Sequence, residues 1–237
     1  AETVLHLYEE EGVACLKHLN GMFGLALWDA RLQRLWLARD RLGKKPLVYS
    51  WDGKRLIFAS EIKAILRDPD VGREIDFEAL DLYLTLNYIP ATWTIFKNIR
   101  KLLPAHSLLM EKGRVSVQSF WDVSAKAGEP LAPSPSDSLS WDQCKDRLRQ
   151  LLEASVGRRL TADVPLGAFL SGGLDSSIIV ALMARQSSRP VKTFSIGYED
   201  LPFFDETHYA RDVARFNRTE HYEFKLGHKD VLDAFPK

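Results

Sequence analysis

The sequence predicts an α+β unit with antiparallel sheets, followed by an α/β unit with a parallel sheet. Residues 21–123 contain short apolar runs separated by hairpin turn signals such as Asp52-Gly53 and Lys112-Gly113. Residues 124–140 contain three prolines and five serines, a composition typical of an exposed interdomain linker. From residue 141 onward strands alternate with helices, and this alternation predicts a parallel sheet with right-handed crossovers.

The first unit is predicted to begin with one amphipathic helix over 2–18, because apolar residues recur there near helical spacing. Ser60 is the predicted N-cap of a helix over 61–66, and Asp76 that of a helix over 77–87. The apolar positions of the first helix are Val4, Leu7, Tyr8, Cys15, Leu16 and Leu19. The predicted strands are 22–28, which we expect to be buried, 34–38, 47–51, 55–59, 107–112 and 114–121.

The second unit is predicted to begin with a helix over 141–160, followed by alternating strands and helices. The ligand of such a unit is expected at the carboxyl ends of its strands. The apolar face of the first helix is Cys144, Leu148, Leu151, Leu152 and Val156. The later elements are a strand over 164–170, a loop over 171–177, a helix over 176–187, a strand over 191–198, a helix over about 205–216 and a strand over 220–226.

The composition disfavours several classes of protein. The 237 residues carry 32 basic and 32 acidic side chains, whereas a dedicated nucleic-acid binder usually has a basic excess. No apolar run has the length of a membrane span, and residues 1–10 show no signal-peptide pattern. Cys15 and Cys144 lie far apart without a CxxC motif, which favours structural thiols in a reduced compartment. We therefore expect a cytoplasmic protein with no nucleic-acid or membrane partner.

A glycine- and serine-rich loop is the segment most indicative of chemistry. Residues 169–177 read Phe-Leu-Ser-Gly-Gly-Leu-Asp-Ser-Ser, after a predicted strand and at the start of a helix. Two glycines allow a tight turn, and the backbone N–H groups and hydroxyls form an anion site. Asp175 would repel a phosphate unless a Mg²⁺ ion lies between them. The alternative is a serine-capped turn without a ligand.

Other phosphate-binding and catalytic loops do not fit this segment. It lacks the Gly-Lys-[Ser/Thr] of a Walker A loop and the G-x-G-x-x-G of a dinucleotide fold. The lipase elbow G-x-S-x-G would need a glycine where Phe169 stands.

The loop resembles the pyrophosphate loop of ATP pyrophosphatases. The chain as a whole resembles glutamine-hydrolysing asparagine synthetase, because several separate motifs occur in the order found in that family. The matching segments are 20–29, 38–47, 58–64, 163–167, 171–177, 194–197 and 219–221.

This resemblance implies two truncated domains and two half-reactions. Residues 1–123 would be the C-terminal part of an N-terminal-nucleophile glutaminase (class II glutamine amidotransferase) domain, and 124–140 a linker. Residues 141–237 would be the N-terminal part of a PP-loop ATP pyrophosphatase domain. The first domain would release ammonia from glutamine, and the second would make β-aspartyl-AMP, which ammonia converts to asparagine. The implied cofactors are ATP and Mg²⁺, the substrates are aspartate and glutamine, and a homodimer is compatible with the resemblance.

The resemblance also assigns site residues by position. Leu170 and Ile196 would contact the adenosine part through backbone or apolar surface, and the alternative for Ile196 is ordinary strand core. Asp175 would hold Mg²⁺ through the pyrophosphate. The residues that would hold the pyrophosphate are Ser171, Gly172, Gly173, Leu174, Asp175, Ser176 and Ser177.

Parts of the family's machinery are absent from the sequence. Residue 1 is Ala1, and Cys15 lies inside a predicted helix, so no glutaminase nucleophile is present. The family's Asn-Gly-Glu run would precede residue 1, and its Ser-Gly-x-Gly-x-Asp-Glu segment would follow Lys237. We therefore expect an interior fragment that lacks glutaminase activity and a complete synthetase site.

Several remaining features favour structural roles over functional ones. Arg39-Asp40-Arg41 with Lys44-Lys45 is interpreted as a salt-bridged turn rather than a phosphate patch. Asn217 is expected to adopt the left-handed conformation where the family tends to place glycine. Zinc is disfavoured at His208 and His221 because they lack partners at ligand spacing. The tryptophans and Phe203-Phe204 are expected in the core or at an interface.

Two functions remain open beside asparagine synthesis. A sibling amide ligase, such as a β-lactam synthetase-like or polysaccharide-modifying amidotransferase, would act on another carboxylate. A non-catalytic relative with a degenerate glutaminase half would bind ATP alone.

Overall fold

The computed structural model describes residues 2–123, 139–199, 203 and 205–234. The chain divides into two compact units, residues 1–131 and 132–237. The first contains antiparallel sheets and the second a parallel sheet, which confirms the predicted order of sheet types. The predicted linker lies outside the described residues except for Leu139 and Ser140. No helix in the described ranges is long and apolar enough to cross a membrane.

The N-terminal helix is shorter than predicted. Helix α1 spans Glu2–Glu11, and a 3₁₀ helix follows over Gly12–His18. Gly12 has φ +60°, a conformation outside the α-helical region, so a single helix over 2–18 was wrong. The 3₁₀ helix still buries Cys15 and Leu16, which pack with Trp36 in one core cluster.

Two antiparallel sheets form the rest of the first unit, and the predicted hairpins are confirmed. Strand β1 was expected to be buried, but its residues alternate between exposed and half-buried, and Trp28 is 54% exposed. Among the described strands, β1 pairs only with β2, at the edge of its sheet. The four-stranded sheet, in spatial order, is β1 (Gly24–Asp29), β2 (Arg34–Arg39), β6 (His106–Glu111) and β7 (Arg114–Ser119). The three-stranded sheet is β4 (Leu56–Ala59), β3 (Val48–Trp51) and the unpredicted, two-residue β5 (Arg100–Lys101).

One of the two predicted helix caps in this unit is confirmed. Helix α3 spans Phe77–Leu86, and the Asp76 carboxylate accepts a hydrogen bond from the Ala79 N–H at 3.2 Å. Helix α2 spans Ile62–Ile65, and its N-cap is Glu61, which makes no side-chain capping bond. The helix starts one residue later than predicted, so Ser60 precedes the cap position and does not serve as the cap.

The second unit is a three-stranded parallel sheet in the order β10-β9-β8 with helices between its strands. Ser140 and Gln143 form a reciprocal capping box at the start of α4, in which each side chain bonds to the backbone of the other residue. The elements are α4 (Trp141–Arg159), β8 (Gly167–Phe169), α5 (Leu174–Gln186), β9 (Lys192–Tyr198), α6 (Thr207–Asn217), β10 (Glu220–Leu226) and α7 (His228–Ala234).

Some bounds and burial predictions in this unit were wrong. Strand β8 is three residues long, and Val164, predicted to lie in it, is 71% exposed. On α4 only Val156 of the predicted apolar face is buried, while Leu148 and Leu151 are half exposed or more. The buried core of this unit forms two clusters, Val156 with Leu182, Met183 and Val191, and Leu170 with Val180, Ala210 and Ala214.

Candidate functional site

The glycine- and serine-rich loop lies between β8 and α5, at the carboxyl end of the sheet. Gly172 has φ +83°, and Gly173 is the N-cap of α5. The helix therefore begins at Leu174, two residues before the predicted start, and residues 174–177 form its first turn.

Gly172 fits tightly against helix α6. A Cβ atom at this position would lie 2.5 Å from the backbone nitrogen of Ala210 and 2.5 Å from Cβ of Tyr209. At Gly173 a Cβ atom would meet only the Ser171 hydroxyl oxygen, at 3.3 Å. Only the first glycine is therefore required by both its conformation and the space available.

The serine hydroxyls hold the loop in shape. Ser171 Oγ accepts a hydrogen bond from the Gly173 N–H at 3.2 Å and lies 3.1 Å from Ser176 Oγ. The Ser176 and Ser177 hydroxyls donate to the Gly173 carbonyl at 3.2 and 2.7 Å. The loop is thus preorganised by its own side chains, while Asp175 stays exposed.

The first turn of α5 leaves backbone donors available. Gly173 has no side chain with which to cap the helix. The Leu174, Asp175 and Ser176 N–H groups therefore have no hydrogen-bond acceptor among the described residues. Unpaired N–H groups at the start of a 13-residue helix, where the helix dipole is positive, can bind an anion.

A cavity of about 390 Å³ opens beside this loop. It brings together four predicted residues, Leu170, Ser171, Ser176 and Ile196, whereas the other loop residues lie next to it without lining it. The lining residues that sequence reasoning missed as site residues are Phe169, Phe194, Ser195, Tyr198, Glu206, Thr207 and Ala210. Apart from Phe194 and Ser195, in the middle of β9, these residues lie near the carboxyl ends of β8 and β9 or in the first turn of α6 and its N-cap.

The backbone of Ile196 faces the loop. In a central parallel strand, the backbone groups of alternate residues bond to opposite neighbours. The Phe194 carbonyl accepts the Leu170 N–H at 2.8 Å, so Phe194 and, two residues later, Ile196 face the β8 side. Strand β8 has ended there, and the Ile196 N–H and C=O have no partner among the described residues. Since Ile196 is 51% exposed, the core alternative for its side chain is wrong.

The start of α6 forms another wall of the cavity. Asp205 accepts the Thr207 N–H at 3.0 Å, and its carboxylate lies 3.6 Å from Lys225 Nζ. Hydrogen bonds from the Thr207 side chain and backbone hold the pKa of Asp205 below its ordinary value. A Cβ atom on Gly197 would lie 2.7 Å from Asp205 Oδ1, so β9 and this helix start also fit closely.

The basic turn after β2 is not held by ion pairs, contrary to the sequence interpretation. The Asp40 carboxylate is buried and accepts four backbone N–H groups at 3.0–3.3 Å, from Phe23, Leu42, Lys44 and Lys45. Burial raises the pKa of Asp40, but these bonds outweigh it and leave the pKa below its ordinary value. Arg39 donates to the carbonyls of Gly43, Lys45 and Leu102. The Arg39 guanidinium is thus bonded to backbone carbonyls and does not form a phosphate patch.

Cys15 is fully buried, and burial raises the pKa of its thiol. A buried thiol with a raised pKa is a poor nucleophile, which agrees with the expected structural role. His221 Nδ1 lies 2.9 Å from Thr193 Oγ1. In the described ranges there is no group of three or more His, Cys, Asp or Glu side chains that could hold a metal.

The expectation for the turn after α6 was wrong. The left-handed residue after α6 is Arg218, with φ +54°, because Asn217 is still helical. Phe203 is 91% exposed and is not in a core, while Phe204 lies outside the described residues. Of the tryptophans, Trp36 is fully buried but Trp141 is 77% exposed.

Comparison with known proteins assigns each unit to a family model. Residues 1–121 match a glutamine amidotransferase domain, and residues 147–237 match asparagine synthase.

Relatives align along nearly the whole chain. Asparagine synthetase (glutamine-hydrolysing) 3 of Bacillus subtilis is 35% identical over 247 residues, which are 98% of this chain and 39% of the relative. Asparagine synthetase 2 of the same organism is 32% identical over 243 residues, 98% of this chain and 32% of the relative. Amidase chry2 of Gibberella zeae is 29% identical over 248 residues, 99% of this chain and 36% of the relative. The chain thus spans less than half the length of the curated relatives it matches.

Proposed function

Because the chain belongs to the glutamine-hydrolysing asparagine synthetase family, we propose that this protein is an ATP-dependent amide ligase. It makes asparagine from aspartate through β-aspartyl-AMP, with ammonia from glutamine. Residues 1–123 are assigned to an N-terminal-nucleophile glutaminase domain, 124–140 to a linker and 141–237 to a PP-loop ATP pyrophosphatase domain. The observation that carries the proposal is the set of unpaired N–H groups at Leu174, Asp175 and Ser176, beside the cavity.

The loop would bind the pyrophosphate part of ATP. Three backbone N–H groups and the positive end of the α5 dipole offer a phosphate donors that are already in place. Ser171 and Ser176 add hydroxyls that line the cavity. The three backbone N–H groups are fixed by the helix, so these donors need no rearrangement when the nucleotide binds.

Asp175 would hold the Mg²⁺ ion. Magnesium in nucleotide sites is typically bound by one or two carboxylates together with phosphate oxygens and water. The exposed Asp175 carboxylate at the loop fits that donor set. The bound ion would neutralise charge on the leaving pyrophosphate.

The adenosine part would lie between Leu170 and Ile196. Adenine presents a ring-nitrogen acceptor beside an amino donor, and one residue's N–H and C=O complement this pair. Ile196 has both groups unpaired on the side that faces the loop. The apolar walls of Phe169, Phe194 and Tyr198 suit a flat ring.

The reaction explains why these parts are needed together. A carboxylate is a poor electrophile, so a β-carboxylate oxygen of aspartate attacks the α-phosphorus, and the bond to the β-phosphate breaks to release pyrophosphate. Ammonia then attacks the acyl carbon, loses a proton, and AMP leaves. The loop stabilises the developing charge on pyrophosphate in the first step.

A ligase acting on another carboxylate is the second candidate. One relative, amidase chry2, is 29% identical over 99% of this chain and is not named an asparagine synthetase. A panel of carboxylic acids separates the two candidates, because each predicts pyrophosphate release with its own acid.

The test measures pyrophosphate released from Mg-ATP by the complete gene product. We expect release only with aspartate, and we expect Asp175→Ala to reduce it to background. Asp212→Ala, which removes an exposed carboxylate of α6 paired with Arg215 at 3.7 Å, is the matched control and should keep wild-type activity. Release that does not depend on aspartate would contradict asparagine synthesis. ATP binding without release on any acid would indicate a non-catalytic relative.

A further inference from the structure

Ser195 makes an unusual contact at the point where the sheet ends. Its side chain is 4% exposed, in strand β9. Its hydroxyl donates to the backbone carbonyl of Leu170, the last residue before the loop. A buried hydroxyl that donates to a buried carbonyl satisfies a group that would otherwise need another donor.

The regular sheet offers a different donor for that carbonyl. The ladder between β8 and β9 continues through the Leu170 N–H, which donates to the Phe194 carbonyl at 2.8 Å. In a parallel ladder the next bond would run from the Ile196 N–H to the Leu170 carbonyl. That bond is not formed, and the Ser195 hydroxyl takes its place.

We propose that Ser195 is a positioning residue for nucleotide binding, because its bond to the Leu170 carbonyl keeps the Ile196 N–H open for the base. This inference rests on the proposed function. Without the hydroxyl, the Leu170 carbonyl would compete with the nucleotide for the Ile196 N–H, so the ladder would extend and close the site at its base-binding edge.

The neighbouring hydroxyl on the same strand shows that this arrangement is local. Thr193 lies two residues earlier, on the same face, and is also fully buried. Its hydroxyl lies 2.8 Å from Thr219 Oγ1 and 2.9 Å from His221 Nδ1, on the side of β10. Thr193 therefore provides a matched control, a buried β9 hydroxyl without contact to the loop.

The experiment measures ATP affinity in the complete gene product by calorimetry. We expect Ser195→Ala to weaken ATP binding about tenfold, the typical effect of one hydrogen bond. Ser195→Thr, which keeps the hydroxyl, should retain most of the wild-type ATP affinity. Thr193→Val should lower thermal stability but leave ATP affinity unchanged. An ATP analogue with carbon in place of the Watson–Crick ring nitrogen should bind wild type and Ser195→Ala equally well.

Amide hydrogen exchange on wild type and on Ser195→Ala tests the same inference. The Ile196 N–H should exchange quickly in the free protein and become protected with ATP. In Ser195→Ala it should be protected before ATP is added, while Gly197, paired with β10, stays protected throughout. Slow Ile196 exchange in the free wild type, or an unchanged affinity in Ser195→Ala, would overturn this inference alone. A wild-type protein that binds no ATP would overturn the proposed function as well.

Discussion

The turn after β2 and the loop after β8 contain similar residues but use them in opposite ways. Both follow a strand and contain a glycine with positive φ, Gly43 at +61° and Gly172 at +83°. Around Asp40, four backbone N–H groups are consumed by one buried carboxylate. In the loop, the exposed carboxylate of Asp175 accepts none of the backbone N–H groups, and three of them stay unpaired. The carboxylate in the first turn stabilises the fold, whereas the second leaves its N–H groups open to the proposed pyrophosphate.

The arginines of the turn after β2 also form hydrogen bonds with backbone groups. Arg39 reaches the Leu102 carbonyl at 2.7 Å, and Arg41 donates to the carbonyls of Lys17 and Leu19. Guanidinium groups engaged with carbonyls are poorly placed to bind phosphate. The two arginines of this charge cluster are therefore engaged with the backbone.

The largest expected effect comes from Gly172→Ala. The new Cβ would lie 2.5 Å from the Ala210 backbone nitrogen, at a φ that L side chains rarely adopt, so the loop must move. We expect ATP affinity to fall at least about a hundredfold, since several donors lose their positions together. Titration of the variant with Mg-ATP measures the loss.

Gly173→Ala serves as the stability comparison. Gly173 has φ −67°, and its added Cβ meets only the Ser171 oxygen at 3.3 Å. This variant should unfold at nearly the wild-type temperature, whereas Gly172→Ala should unfold earlier. Equal unfolding temperatures for the two variants would contradict the assigned close fit of Gly172 against α6.

Asp40→Asn should destabilise the first unit without affecting nucleotide binding. Each Asp40 oxygen accepts two backbone N–H groups, so an amide NH₂ would face two donors. We expect the free energy of unfolding to fall by about 2 kcal/mol, a typical cost of unsatisfied buried groups. Chemical denaturation measures it, and a weakened ATP affinity in this variant would break the contrast between the two turns.

Asp52→Asn is the matched control for this variant. Asp52 also bridges a turn, but a single oxygen accepts the N–H groups of Lys54 and Arg55, at 2.8 and 2.7 Å. An asparagine keeps that oxygen, and the site is exposed, so the effect on stability should be clearly smaller than at Asp40.

The pH dependence of stability sharpens the same comparison. The folded-state pKa of Asp40 lies below its unfolded value, because backbone hydrogen bonds outweigh burial. Its contribution is therefore fully present above the unfolded pKa, about 3.9, and is lost as the pH falls through the folded value. Wild type should lose stability over this acid range, and Asp40→Asn should lose less of it.

The sequence predicted those features that depend on local patterns. Strand β10 has the predicted bounds, and the loop lies at the carboxyl end of a parallel sheet. Turn signals at Asp52-Gly53 and Lys112-Gly113 predicted their hairpins, because these residues adopt turn conformations for local steric reasons.

Features that depend on tertiary packing were not predicted. The wall formed by Glu206, Thr207 and Ala210 reaches the cavity because α6 packs on Gly172, and no sequence period encodes that contact. The bond from Ser195 to the Leu170 carbonyl likewise depends on the end of β8, which is only three residues long. The Asp40 turn was wrongly interpreted as salt-bridged because opposite charges lie near each other in the sequence. In the structure, the Asp40 carboxylate accepts backbone N–H groups instead.

The smallest expected effect tests a third turn, which satisfies its own backbone as the Asp40 turn does. Arg218 has φ +54°, and the bonds from its N–H to the Arg215 carbonyl and from the Thr219 N–H to the Ala214 carbonyl close helix α6. Glycine adopts this conformation without a Cβ penalty, so Arg218→Gly should raise the free energy of unfolding by about 1 kcal/mol. Asn217→Gly, which places glycine in the last helical position, should lower it instead. Neither residue lines the cavity, so both variants should bind ATP with wild-type affinity. A changed ATP affinity in Arg218→Gly would show that the end of α6 is coupled to the loop.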